Sequence, residues 1–189
     1  MLKFKDLFIS SYRELKNVRS LTLTAMFCAI SIVLGSLSIM IGENLKIGFS
    51  FLPNEFIFYL FGPVVGIIFG AVTDILAFIA SPKGPYFFGF TASSMLSGLI
   101  YGVILYKRPL NVIRIIAANF VAMFIVGMFL NTYWLSMLYG NDFIVLFPGR
   151  ALKELIMFPI NTVLLFTVIK GVEASGILKL LHSKRAKLS

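Results

Sequence analysis

Cysteine, histidine and tryptophan occur once each in this chain of 189 residues, as Cys28, His182 and Trp134, and charged residues make up only 13% of it. Each scarcity removes a class of function. One cysteine leaves no disulfide framework. A metal site needs three or four converging N, S or O ligands, and none can be assembled from one histidine in a basic tail and one cysteine in an apolar run. His-Glu-x-x-His, Gly-x-Ser-x-Gly and the phosphate loop Gly-x-x-x-x-Gly-Lys-Ser/Thr are all missing. Enzymatic chemistry has no visible constellation, no cofactor is expected, and the chain has no means of hydrolysing ATP. An ordinary soluble domain carries about 25% charged residues, so the low charge argues against that class as well.

Apolar side chains take up the difference. The chain is 59% hydrophobic and 15% aromatic, with a mean hydropathy of +0.94. A bilayer span needs about 20 apolar residues, so the length allows at most about seven helices and no second, soluble domain. The formal net charge of +9 is not spread as a nucleic-acid binder would spread it. Basic residues gather at 3–19, at Lys107, Arg108 and Arg114, and at 179–187. These are flanks of apolar runs, where positive charge orients a membrane protein toward the cytoplasm.

The expected class is all-α: an integral membrane protein with six transmembrane helices and both termini cytoplasmic. Residues 1–20 form a basic N-terminal segment, 21–175 the membrane domain and 176–189 a basic cytoplasmic tail. Leu7, Phe8, Tyr12 and Leu15 recur at helical spacing, which suits a short helix on the membrane surface; a frayed basic tail is the alternative. Residues 21–41 are too long for a signal-peptide core and read as the first span. A loop follows at 42–50, then a short helix over 51–61 with Pro53 in its first turn. Gly62-Pro63 breaks it, and further spans are expected over 64–80, 88–106, 110–137 and 150–172. The outer turn at 81–85 and the loop at 139–148 are nearly neutral. Small residues recur four apart at Ala25/Ala29, Gly66/Gly70 and Gly98/Gly102, a spacing that lets helix backbones approach. The two glycine pairs suit packing inside the bundle, whereas Ala25 and Ala29 sit where an external partner reaches them.

Residues 45–102 organise the rest. Asp74 is read as the only acid well inside a span, and a mid-span carboxylate costs on the order of 3 kcal/mol unless it finds a partner or a ligand. Around it the outer half of the chain offers Thr73, Lys83, Tyr86, Phe87, Phe90, Thr91, Asn131, Tyr133, Trp134, Arg150 and Lys153. Aromatic faces stack flat rings. A lone carboxylate accepts paired N–H donors, and arginine captures a carboxylate with two bonds. The implied ligand is flat, aromatic, rich in donors and anionic at one end. Tyr133 and Trp134 also read as interface anchors, Lys83 as a solvated turn residue, and Arg150 as a partner for Glu154.

The first-span Ala-x-x-x-Ala, the run GFSFLP with its following helix, GPVVGIIFGAVTD and SPKGPYFFGFTASSMLSGLIYG together resemble the substrate-binding S components of energy-coupling-factor vitamin transporters, the folate-type member above all. The resemblance covers most of 25–102 and, more loosely, the region of Arg150. It implies a six-helix multi-pass receptor of the bacterial cell membrane, in contact with lipid, that binds folate from outside. It also implies that the receptor joins a transmembrane coupling subunit and two cytoplasmic ATPase subunits and topples to release its cargo. It assigns Ala25 and Ala29 to the coupling subunit and the loop bearing Gly48, Phe49 and Phe51 to a gate. Asp74, Phe90, Trp134 and Arg150 are the ligand contacts expected on chemistry as much as on resemblance, with Lys83, Phe87, Thr91, Asn131 and Tyr133 around them. Pro85 departs from the expected small residue. Alternatives are an S component for riboflavin or thiamine, or a secondary transporter acting alone.

Overall fold

The computed structural model describes residues 4–41, 45–82 and 84–175, with the backbone only over 38–41 and 45–47. Lys83 and the basic tail from 176 lie outside the described residues. The helices are α1 (Phe4–Glu14), α2 (Val18–Ser36), α3 (Phe51–Ala80), α4 (Phe88–Leu105), α5 (Val112–Ala122), α6 (Asn131–Tyr139) and α7 (Phe143–Ala174). A π-helical stretch, Met123–Leu130, joins α5 to α6, and the three form one rod, Val112–Tyr139. Among the described residues, five helices are long and apolar enough to cross a bilayer: α2, α3, α4, this rod and α7.

Two expectations change here. The loop after the first span holds a small antiparallel hairpin, β1 (Ser38–Ile41) with β2 (Leu45–Gly48), in the register Ser38↔Gly48 and Ile41↔Leu45. The fold is all-helical in class, as expected, and this hairpin is an addition to the loop. The run SIMI ends the helix early because isoleucines suit a pleated surface, so α2 stops at Ser36 instead of reaching 41. The loop expected at 139–148 shrinks to 140–142, and α7 begins at Phe143 with Pro148 and Pro159 inside it. In a membrane helix neighbouring groups re-satisfy the backbone that a proline frees, so the apolar run ahead of Arg150 joins the helix.

The Gly62-Pro63 break is real and sharper than a kink. Gly62 has φ 84° and ψ −168°, outside the helical region and open to glycine. A straight helix would hold Phe58 and Phe69 roughly 16 Å apart along its axis; instead their rings meet edge-on at 6.0 Å between centroids. Asn54 and Asp74 line the same cavity. The two arms of α3, 51–61 and 63–80, therefore run antiparallel.

The reversal is tied from outside. α1 buries Leu7, Ser11 and Glu14. Ser11 Oγ donates to the carbonyl of Phe61 at 2.7 Å and accepts from the amides of Val64 at 2.9 Å and Val65 at 3.2 Å. These backbone groups lie where the helical ladder is interrupted. Ser20 Oγ donates to Glu14 at 2.7 Å, fixing α1 to α2. The expected surface segment is thus a helix with a packed face, and Phe4, Ile9 and Tyr12 remain exposed on another.

The second arm of α3 lies backbone-to-backbone on α4. A Cβ at Gly66 would stand 2.7 Å from the carbonyl oxygen of Gly98, one at Gly70 2.5 Å from that of Ser94, and one at Gly102 2.5 Å from Pro63. Such approaches exclude any side chain. Ile57, Phe61, Leu105, Ile115, Leu165 and Ile169 fill the interior near the Gly62 reversal. The opposite half is hollow. Outward-facing Met26, Ile30, Ile68, Val72, Phe120 and Val163 stay exposed, as a lipid-facing surface requires.

Candidate functional site

The hollow begins where the dense core ends. Its larger cavity, about 270 Å³, lies between both arms of α3, α4, the rod Val112–Tyr139 and α7. The first arm brings Phe51, Asn54, Glu55 and Phe58. Pro53 opens this arm, as a residue that has no N–H to lose in a first turn, and it aims Asn54 and Glu55 inward. Gly70, Ser94, Ser97 and Tyr101 form the α3–α4 wall, while α7 brings Glu154, Phe158 and Asn161. From the rod come Asn119, Met123, Val126, Gly127 and Asn131. Four of its residues fall in the π stretch or at its end, a helix form that recurs at functional sites. Gly127 has no side chain because Glu154 occupies that space; a Cβ there would lie 2.8 Å from the carboxyl carbon.

The floor is a committed hydrogen-bond chain. Thr162 donates to the carbonyl of Phe158 at 2.8 Å, so its oxygen can only accept, and it accepts from Asn119 Nδ2 at 2.8 Å. Asn119 Oδ1 then faces Tyr101, whose hydroxyl donates to it at 2.6 Å. Higher up the pattern reverses. Asn54 Oδ1, Glu55 Oε2, Asn131 Oδ1 and Asn161 Oδ1 are buried and have no hydrogen-bond partner among the described residues. Buried polar groups are normally paired, and all four belong to residues lining this cavity. Glu55 is 5% exposed. Asp74 is thus not the only acid inside the bundle: Glu55 and Glu154 face the same hollow.

A second cavity, about 260 Å³, shares Asn54, Gly70 and Ser94 with the first and adds Ser31, Gly35, Ser50, Thr73 and Asp74. Asp74 is satisfied there. Thr91 donates to its Oδ2 at 2.7 Å and Ser94 approaches its Oδ1 at 3.5 Å. Since the Thr91 hydrogen is used, Tyr86 donates to Thr91 at 2.7 Å. Ser31 Oγ donates to the carbonyl of Ser50 at 3.2 Å, joining α2 to the base of the hairpin.

The side chains expected at the site divide into lining and rim. Phe51 and Asn131 line the larger cavity, and Asp74 the smaller. Phe90, Trp134 and Arg150 each lie one helical turn along the same helices from the lining residues Ser94, Asn131 and Glu154. Phe87 packs against Phe90 at 6.1 Å and against Trp134 at 5.8 Å, and Tyr133 meets Trp134 at 5.2 Å while remaining half exposed. Trp134 Nε1 donates to Ser93 at 3.1 Å. Arg150 is half-buried above Glu154. Gly48 ends β2, Phe49 follows, and Phe51 opens α3. Ala25 and Ala29 are exposed on a separate apolar groove of about 390 Å³ between α2 and the second arm of α3. Among the described residues no cluster of three acid, histidine or cysteine side chains is placed to hold a metal.

The family model for "ECF transporter, substrate-specific component" matches residues 19–181. The folate transporter FolT of Clostridium novyi is 39% identical over 129 residues, 68% of this chain and 75% of that protein. The riboflavin transporter RibU of Staphylococcus aureus is 31% identical over 179 residues, 90% of this chain and 92% of that one. A crystal structure of FolT bound with folic acid superimposes with a TM-score of 0.72 at 31% identity, covering 79% of this chain and 92% of that chain.

Proposed function

The chain belongs to the substrate-specific components of ECF transporters, and from that premise we propose that it is a multi-pass membrane receptor that binds folate and hands it to an energy-supplying module. The carrying observation is the set of four buried, unpartnered oxygens, on Asn54, Glu55, Asn131 and Asn161, around one cavity. A pterin head brings N–H donors to such a site, and Phe51, Phe58 and Phe158 offer apolar faces to flat rings. Arg150 and Lys153 at the rim suit the carboxylates of a glutamate tail. Phe87, Phe90, Tyr133 and Trp134 close the rim, and Asp74 with Thr91 holds the neighbouring wall. Gly48, Phe49 and Phe51, at the base of the hairpin, act as the gate.

The fold-back in α3 supports six passes. α2, the two arms of α3, α4, the rod and α7 make an even number of segments, which leaves both termini on the basic, cytoplasmic side of the cell membrane. The first arm is roughly 16 Å long by helical rise, short of a hydrocarbon core of about 30 Å, and the hairpin makes up the distance. Residues 21–175 form this membrane domain, flanked by the basic segments 1–20 and 176–189. The role is binding and delivery, with no catalysis of its own. ATP hydrolysis comes from two cytoplasmic ATPase subunits through a transmembrane coupling subunit, which Ala25 and Ala29 contact. Calorimetric titration of the purified protein with folate tests the reading. Saturable heat at micromolar ligand is expected, and its absence removes folate.

A further inference from the structure

We infer that Glu55 selects the ligand's head group by accepting two adjacent N–H donors, and that the class it admits is the 2-amino-4-oxo heterocycle. The inference rests on the folate reading above and sharpens it. Among the described residues, the ionisable side chains of the cavity lining are Glu55, Tyr101 and Glu154, two acids and a phenol, with no lysine or arginine. An ionised carboxylate is acceptor-only. Glu55 is buried, and its Oε2 has no partner among the described residues.

Tyr101, which interacts with Glu55, cannot supply the missing donor. Thr162 gives its hydrogen to Phe158, Asn119 therefore turns Nδ2 to Thr162 and Oδ1 to Tyr101, and the single phenolic hydrogen goes to Asn119. From α7, Glu154 lines the same cavity, and the cations Arg150 and Lys153 face Glu154. The donors must come with the ligand. Asn54, Asn131 and Asn161 differ from Glu55 in this respect, because an amide turned over offers N–H instead of oxygen. Glu55 alone among the four, once paired donors hold it ionised, imposes a sign on what it meets.

The chemistry separates the two vitamins carried by the relatives. A pterin presents the ring N–H and the exocyclic amino group side by side, matching two carboxylate oxygens. The corresponding edge of the isoalloxazine ring has one N–H between two carbonyls, which would set carbonyl oxygen against carboxylate.

The test is calorimetric titration of folate, 2-desaminofolate, riboflavin and thiamine into the full-length protein and its Glu55→Gln and Glu55→Ala variants, each checked for an unchanged melting profile. The wild type should prefer folate to 2-desaminofolate by roughly ten- to a hundredfold, the range of a bidentate pair. Both variants should bring that preference within about threefold, the gap left when the paired contact is gone. The isosteric glutamine keeps the test valid should alanine disturb the fold, and the wild-type comparison needs no variant. Equal binding of folate and 2-desaminofolate by the wild type, or an undiminished preference in both variants, overturns the role of Glu55 and leaves folate binding standing. Thiamine binding tighter than folate would mean that Glu55 reads positive charge rather than paired donors. No binding of folate by the wild type overturns this inference and the folate reading together.

Discussion

Gly66 and Gly98 lie where two helix backbones touch, and nothing larger fits between them. A methyl on Gly66 meets a carbonyl oxygen at 2.7 Å, part of a helix that cannot swing aside as a side chain can. Gly66→Ala should destabilise the protein by about 1–3 kcal/mol, the usual cost of overpacking, read as a lower thermal midpoint in detergent. Gly149→Ala, where a Cβ has nothing within 4 Å, should leave the midpoint near its original value. The glycine pairs were legible in the chain because small residues four apart have one structural use in lipid. The cavity lining was less so. Sequence reasoning picked out Phe90, Trp134 and Arg150 by chemical conspicuousness, and they sit a turn away from Ser94, Asn131 and Glu154. Asn54 and Glu55 open a short helix next to a loop, so their polarity read as ordinary surface; only the antiparallel return of α3 puts them inside. That return also accounts for the mistaken reading of Asp74 as the sole interior acid.

Among the elements, α1 and α3 explain one another. Gly62-Pro63 interrupts the helical ladder at Phe61, Val64 and Val65, and one hydroxyl from α1 bonds to all three. Ser11→Ala should therefore cost about 1–3 kcal/mol, the penalty for leaving buried backbone groups unpaired. Hydrogen exchange should show faster exchange at Val64 and Val65, with amides of α6 unchanged. Equal protection in the variant would mean that water replaces the hydroxyl without loss. The break itself was visible as a Gly-Pro pair. Its angle was not, because a dipeptide tells where a helix stops and not where the chain goes next. The hairpin and the early start of α7 escaped for a related reason: short apolar runs suit strand and helix alike, and proline in a membrane helix is tolerated where the sequence rule forbids it.

At the scale of the whole molecule, the cavity and the groove are separate surfaces on opposite sides of α3. The groove runs past Leu21, Thr24, Ala25, Ala29, Val72 and Leu76 and shares no residue with the larger cavity. Both alanines are exposed, so a larger side chain there fills the groove without pressing on the core. If the proposed docking on a coupling subunit uses the groove, ligand binding and docking fall on separate surfaces, and each is altered without changing the other. Ala25→Trp and Ala29→Trp should each abolish folate uptake in proteoliposomes that also contain the coupling subunit and its ATPases. The folate dissociation constant of the isolated protein should stay within about twofold, as expected for sites without shared partners. A parallel loss of affinity would place these alanines in internal packing and detach the groove from energy coupling. Intact uptake would show that the coupling subunit docks elsewhere on the bundle.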